Sequence, residues 1–259
     1  MNKKIQRLNQ LIEILKVRHY VSVKELASHL EVSEMTIRRD LEILKSKQIA
    51  ENIAGISVYN SFQETSPTQS EYNLSSEHDK HFVQKNAIAQ FAASLIKQGE
   101  IIILDTGSTT EKIVPFIPKN SNLTILCYNM NILTKLHRRT DIQIILAGGI
   151  YHANTQLFES PEGIEFIRGI RAQKLFLSAA GIHSSLGITC ANQYEVPGKQ
   201  AVLGSSMEHI LVADSSKFGS VKCAFFCNLS DIDVIVTDDS LSQEWCDIIL
   251  ALGIELHLV

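Results

Sequence analysis

The first sixty positions carry three short apolar stripes at helical spacing. Leu8, Leu11, Ile12 and Leu15 recur three and four apart, as one face of a helix does. Ser22 stands three positions before Glu25, the spacing of a capping box, and Leu26 and Leu30 follow on one face. Ser33 is placed to cap a third helix with Ile37, Leu41 and Leu44 as its buried stripe. The pattern then fades. Residues 59–78, YNSFQETSPTQSEYNLSSEH, hold too little apolar material for a core and read as a connector. From residue 82 it returns in another form. FVQKNAIAQFAASLIKQG is an amphipathic helix, and IIIL, LTILCY, IQIILAGG, KLFLSAAG, HILVAD, IDVIVTD and IELHLV are apolar runs set between helical or loop segments. Continuous apolar strands alternating with helices predict an α/β domain with a mainly parallel sheet covered on both faces. The expected division is a head at 1–58, a connector at 59–78 and a larger domain at 79–259.

Only the tripeptide EVS separates the second and third stripes, so those helices must meet steeply, as in a helix-turn-helix. With Ile37, Leu41 and Leu44 inward, a turn of about 100° per residue sends Met35, Arg39 and Glu42 outward, with Thr36 and Arg38 on the flanks. Paired arginines early on an exposed helix suit phosphate contacts and bidentate reading of guanine. Ser33 and Thr36 lie where hydroxyls and free amides at a helix start bind phosphate. Charge adds to this picture. The whole chain has net charge −4, but residues 1–58 hold ten Lys and Arg against seven Asp and Glu, so a basic head is attached to an acidic body. Helical spacing alone would also suit a small bundle with a solvated basic face; the short turn, the caps and the paired arginines together favour DNA.

The string VSVKELASHLEVSEMTIRRDLEIL resembles the helix-turn-helix of the DeoR family of bacterial sugar-catabolism regulators, marked by Ser-x-x-Thr-Ile-Arg-Arg-Asp-Leu. The resemblance implies a small winged helix-turn-helix domain in which Ser33, Thr36, Arg38 and Arg39, with Glu34 and Met35 beside them, contact operator DNA. In that family a basic, glycine-containing wing usually follows. Here AENIAGISVYN keeps Gly55 but has neither Lys nor Arg, so a hairpin can form without bringing a basic side chain to DNA.

Composition narrows the remaining classes. No apolar run approaches the roughly 18 residues of a membrane helix, and the opening MNKKIQRLNQ has no apolar stretch behind its charges, so neither a membrane nor a secretory route is expected and the chain reads as cytoplasmic. Five scattered cysteines make no disulfide framework, and Cys223 and Cys227 lack further ligands for zinc, so no metal and no cofactor are expected.

Small and polar residues gather where the apolar runs end: Asp105 to Thr110, Tyr128-Asn129, Gly148-Gly149, Ser178 to Gly181 and Asp214 to Lys217. In parallel sheets these carboxyl ends carry the ligand. Gly107 would let the backbone approach closely, and Ser108 to Thr110 lead into a short helix in TEKIVPFI. Asp-Thr-Gly-Ser is also the spelling of an aspartic protease loop, but that chemistry needs two such loops sharing a proton, and there is one.

NAIAQFAASLIKQGEIIILDTGSTT, LAGG, LFLSAAGIHSSLGIT and ADSSKFG resemble the DeoR-family effector domain, which is similar in fold to ribose-5-phosphate isomerase and binds phosphorylated sugars. The resemblance implies that Asp105, Gly107, Ser108, Thr109 and Thr110 cradle a phosphate or sugar, that Lys217 and Lys199 supply cations, and that Glu195 accepts a hydroxyl, with Asn129, Gly148, Gly149, Gly181 and His183 around them. His183 or Glu195 would be the base of an isomerase carrying an N-terminal helical module; a binding site without chemistry is the simpler reading. The expected protein is a non-enzymatic regulator, a homo-oligomer of dimer size or larger, that holds operator DNA under control of a phosphorylated sugar such as deoxyribose 5-phosphate.

Overall fold

The computed structural model describes residues 7–8, 10–11, 14, 20–30, 32–46, 50–53, 56–59, 72–78 and 80–259. They form two compact units, Met1–Ser70 and Glu71–Val259.

In the smaller unit, strand β1 (Tyr20–Ser22) leads into helix α1 (Val23–His29), and α2 (Glu34–Ser46) follows after a short turn. Ser22 and Glu25 make the expected capping box, each satisfying the other's backbone N–H. Leu11, Val23, Leu26, Ile37, Leu41 and Leu44 form one buried cluster, so the stripes meet as their spacing requires. Ile12, Leu15 and Gly55 lie outside the described residues. Strands β2 (Ala50–Ile53) and β3 (Ile56–Tyr59) pair as an antiparallel hairpin, and β1 pairs with β3, completing a three-stranded wing.

The larger unit opens with helix α3 (Leu74–His78), inside the stretch whose composition reads as connector. Leu74 is buried and its N–H donates to Asn154 O at 2.8 Å, which fastens the segment to this unit. Helix α4 (Phe82–Ser94) is followed by β4 (Ile101–Leu104), a 3-10 turn at Thr110–Phe116, β5 (Thr124–Cys127), α5 (Met130–Leu136) and β6 (Gln143–Leu146). Next come the hairpin β7 (Ile150–His152) and β8 (Leu157–Glu159), helix α6 (Pro161–Arg168) and β9 (Ala172–Leu177). The chain continues through β10 (Gly181–His183), β11 (Gly187–Cys190), α7 (Val196–Leu203), β12 (Ser206–Val212), β13 (Ala224–Cys227), β14 (Val234–Thr237), α8 (Gln243–Ala251) and β15 (Glu255–Leu258).

Seven strands form one parallel sheet in the order β15-β14-β12-β9-β4-β5-β6, and they are the seven apolar runs of the sequence. Alternate side chains feed two cores. Ile102, Leu104, Phe176 and Val212 face α4, whereas Ile103, Leu175, Leu177 and Leu211 face α6, α7 and α8. Covering both faces removes the need for polar alternation along the strands. Because every strand points the same way, the loops after β4, β5, β6, β9 and β12 share one edge. A small antiparallel sheet, β10-β11-β13, stands apart from the parallel one. No helix among the described residues is long and apolar enough to cross a membrane.

Candidate functional sites

On the smaller unit, α2 begins on Ser33, whose Oγ accepts from Thr36 N–H at 3.3 Å and lies 2.9 Å from Thr36 Oγ1. Ser33, Glu34, Met35, Arg38 and Arg39 are exposed and Thr36 is half-buried, so the six expected contact residues lie along the first turns of α2. Met35 is 61% exposed, a high value for a large apolar side chain with no packing duty. The next residue, Asp40, turns inward. It is buried and accepts a bidentate pair from Arg7, at 2.6 Å from Nε and 3.3 Å from Nη2. Arg7 thus ties the start of the chain to α2, while Arg38, whose Nη2 lies 4.0 Å from Glu34 Oε2, and Arg39 are exposed.

On the larger unit, a narrow cleft of about 20 Å³ opens at the carboxyl edge of the sheet. Gly107, Ser108 and Thr109 after β4, Ser178 and Ala179 after β9, and Ala213, Asp214 and Lys217 after β12 line it, with Tyr72 and Glu77 from the α3 segment. Gly107 is required by space: a Cβ there would fall 2.7 Å from Ser178 Cβ. Lys217 Nζ donates to Glu77 Oε2 at 2.9 Å. Lys85 donates to Ser108 Oγ at 3.0 Å and to the Glu77 carbonyl at 2.7 Å, with Asp214 Oδ2 3.9 Å away. Burial lowers the Lys85 ammonium below its usual range, although Asp214 opposes this. Asp214 Oδ2 is buried without a hydrogen-bond partner among the described residues.

Lys85 was not anticipated. It precedes Ile88 and Ala89 by three and four positions, so a lysine sits on the buried stripe of α4. That spacing was the available signal.

Other expected residues lie elsewhere. Asp105 is wholly buried behind the loop. Its Oδ2 accepts from Ser178 N–H and Oγ, both at 2.9 Å, and from Lys199 Nζ at 2.5 Å, while Tyr128 O–H donates to Oδ1. Burial pushes Lys199 toward the neutral form, but Asp105 outweighs it and raises its pKa. Burial and Asp105 together raise Tyr128 as well, so its proton stays in place. This cluster joins β4, β5, β9 and α7 and fixes the loop from behind. Glu195 is buried too, where its Oε1 accepts from Asn192 N–H and Nδ2, both at 2.9 Å. Asn129 caps α5, and Thr110 Oγ1 donates to Gly107 O at 3.0 Å, so both shape the edge without facing the cleft. Gly149 makes the turn into β7, where a Cβ would meet Glu159 O at 2.3 Å, and Gly148 lines a separate small hollow beneath Tyr128. Gly181 packs against Ser220 and Thr189. His183 Nδ1 accepts from Ser185 and Leu186 N–H at 3.3 and 3.2 Å, which closes the β10–β11 turn. No group of side chains among the described residues is arranged to hold a metal.

Known proteins bear on both units. A model of the DeoR-like helix-turn-helix domain matches residues 7–62, and one of the DeoR C terminal sensor domain matches residues 80–239. The deoxyribose operon repressor of Escherichia coli is 31% identical over 241 residues, 93% of this chain and 92% of its own. The glycerol-3-phosphate regulon repressor of the same organism is 31% identical over 239 residues, 91% of each chain. The lactose phosphotransferase system repressor of Staphylococcus epidermidis is 30% identical over 243 residues, 93% of this chain and 94% of its own. Among solved structures, ribose 5 phosphate isomerase A of Neisseria gonorrhoeae superposes with a TM-score of 0.37 at 17% identity, covering 52% of this chain and 53% of its own, a likeness too partial to identify a fold. With a helix-turn-helix head, a parallel α/β body and family matches across both, the chain belongs to the DeoR family of transcriptional regulators.

Proposed function

We propose that this regulator represses a sugar or nucleoside catabolic operon and that a phosphorylated sugar, such as deoxyribose 5-phosphate, controls it. What supports the reading most is that Lys217 lines one cleft with the Gly107-Ser108-Thr109 loop, while buried Lys85 bonds Ser108 from behind it. Two ammonium groups and free loop amides recognise a phosphate, and the polar side chains around them suit the hydroxyls of a short sugar. The names of the curated relatives, which include deoxyribose and glycerol-3-phosphate systems, agree with this class of ligand. An isomerase reading has little chemical support, since His183 and Glu195 are engaged with their own loops. In the head, Ser33, Glu34, Met35, Thr36, Arg38 and Arg39 would meet the duplex, and a homo-oligomer would present two or more heads to a repeated site.

A thermal-shift series with sugar phosphates tests the effector, because a ligand that binds only the folded state raises the melting temperature. The expected result is a shift with deoxyribose 5-phosphate or a close relative, and none with the unphosphorylated sugar. Equal shifts with the unphosphorylated sugar, or no shift across the series, would remove the proposal.

A further inference from the structure

The cleft already contains an anion belonging to the protein. Glu77 points its carboxylate at Lys217, 2.9 Å from Nζ, and Lys80 holds the other oxygen at 2.7 Å. The Glu77 main-chain carbonyl accepts a hydrogen bond from Lys85, the second cation of the site. One short helix therefore occupies both ammonium groups that a phosphate would need. Burial works against a charged Glu77, but hydrogen bonds from Lys80 and Lys217 prevail and hold its carboxyl near 2, so it is an anion at any physiological pH.

The segment carrying Glu77 is weakly fastened. Helix α3 has five residues, and Leu74 is its single buried side chain. Its other ties include the Leu74 N–H to Asn154 O bond, a 3.4 Å contact from Gln156 to Ser75 Oγ, and His78 3.6 Å from Glu111. Tyr72, just before the helix, also lines the cleft, so two side chains and a few polar ties hold the segment, and a short segment held this way opens locally at lower cost than the sheet behind it. Its outer side is not packed solid either: Leu74, Ser75 and His78 border a second hollow of about 360 Å³. It is also the first helix of the larger unit, directly after the stretch that leads from the helix-turn-helix head.

We propose that Glu77 is an intramolecular stand-in for the effector's anion, holding Lys217 and Lys85 until a phosphorylated sugar takes both cations and releases residues 72–78. A phosphate monoester carries up to two charges and three acceptor oxygens, against one charge and two oxygens for the carboxylate, so it competes well for the same donors. A neutral sugar cannot displace an ion pair this way, so Glu77 also sets specificity. Release changes the anchoring of the chain leading to the head, which gives ligand binding a physical route to DNA affinity. By reciprocity, DNA binding that favours the fastened segment weakens the ligand. The proposal rests on the phosphorylated-sugar reading above.

Calorimetry on the full chain, wild type and Glu77→Gln, tests it with deoxyribose 5-phosphate, glycerol 3-phosphate and inorganic phosphate as probes. Hydrogen exchange of the 72–78 amides in the wild type, with and without the tightest probe, needs no variant. If the stand-in fills the cleft in about nine molecules of ten, removing its charge tightens apparent binding about tenfold. Faster exchange at 72–78 on adding the probe is the matching result. Equal or weaker binding to Glu77→Gln, or slower exchange at 72–78 with probe, overturns the stand-in and leaves the phosphorylated-sugar reading intact. Failure of both proteins to bind any probe removes that reading, and the stand-in with it.

Discussion

Replacing Asp105 should be felt as a loss of stability before it is felt as a loss of ligand. The carboxylate accepts from Ser178 N–H and Oγ, Lys199 Nζ and Tyr128 O–H, and neither Asp105 nor the Lys199 side chain is more than 2% exposed. Asp105→Ala strands the Lys199 charge in a dry site, which typically costs about 3–5 kcal/mol. For a unit of this size, each kcal/mol moves the melting point by about 2–4 °C, so a fall of roughly 6–20 °C is expected. Trp245 is the one tryptophan of the chain and lies in the larger unit, edge-on to Phe218 with ring centroids 5.3 Å apart. Its fluorescence therefore follows the melting of this unit, whatever the head does. Asp105→Asn with Lys199→Met, which removes both charges at near-constant volume, should recover most of the loss, and the cycle of the four proteins isolates the pair. The sign with pH is fixed as well. Lys199 is raised in the fold, so its contribution is complete below the usual lysine range and lost only above the folded value. If Asp105→Ala melted within about a degree of wild type yet no longer bound sugar phosphate, the carboxylate would face the ligand and this reasoning would fail.

Arg39→Ala should weaken operator binding by about 1–3 kcal/mol, the worth of a bidentate base contact, and leave the melting point alone because the side chain is exposed. Fluorescence anisotropy with labelled operator reads the first and a melt the second; a lower melting point would make Arg39 structural. Asp40→Ala should do the reverse, unsettling the head through its lost pair with Arg7. Lys217→Met should cost sugar-phosphate binding about 1.5–3 kcal/mol by calorimetry, a charge-assisted hydrogen bond's share, and an unchanged affinity would exclude Lys217 from the site. Glu77 is held near 2 against an ordinary 4.5, so its contribution to stability is present above about 4.5 and lost as pH falls toward 2; a stability profile of Glu77→Gln that falls just as steeply over that window would contradict its ion pairs.

Much of the fold was legible because two local signals were strong. Ser22 and Glu25 announce a helix start, and the seven apolar runs became the seven strands of the parallel sheet. Elements with weak local signals were not legible. Strands β10 and β7 have three residues each, too short for any period to show. Helix α3 hides in a polar stretch because one leucine, Leu74, is all it buries. Within the site, the edge of the sheet could be named from strand ends, but the inward or outward turn of each side chain could not. Asp105 and Lys199 are ninety-four positions apart, and no spacing rule says that one neutralises the other behind the loop. Lys85 is the converse, a charge whose place on the buried stripe of a helix is readable from spacing alone.

The distribution of charge limits how such a regulator can switch. A head with ten Lys and Arg against seven Asp and Glu binds DNA weakly by electrostatics alone, so on the proposed reading avidity between heads supplies much of the affinity. Avidity depends on geometry: heads held at the operator's spacing bind together, and heads free to wander bind one at a time. The effector then need not touch the head at all. It has only to alter how the chain after the head is tied down, and that chain reaches the larger unit at residues 72–78, over the cleft's own cations. Turning a mostly bound population into a mostly released one takes on the order of 5 kcal/mol of differential ligand binding in total. Shared among the subunits of an oligomer, that is a modest preference at each cleft, of the size gained by exchanging the Glu77 carboxylate on Lys217 and its carbonyl on Lys85 for one phosphate.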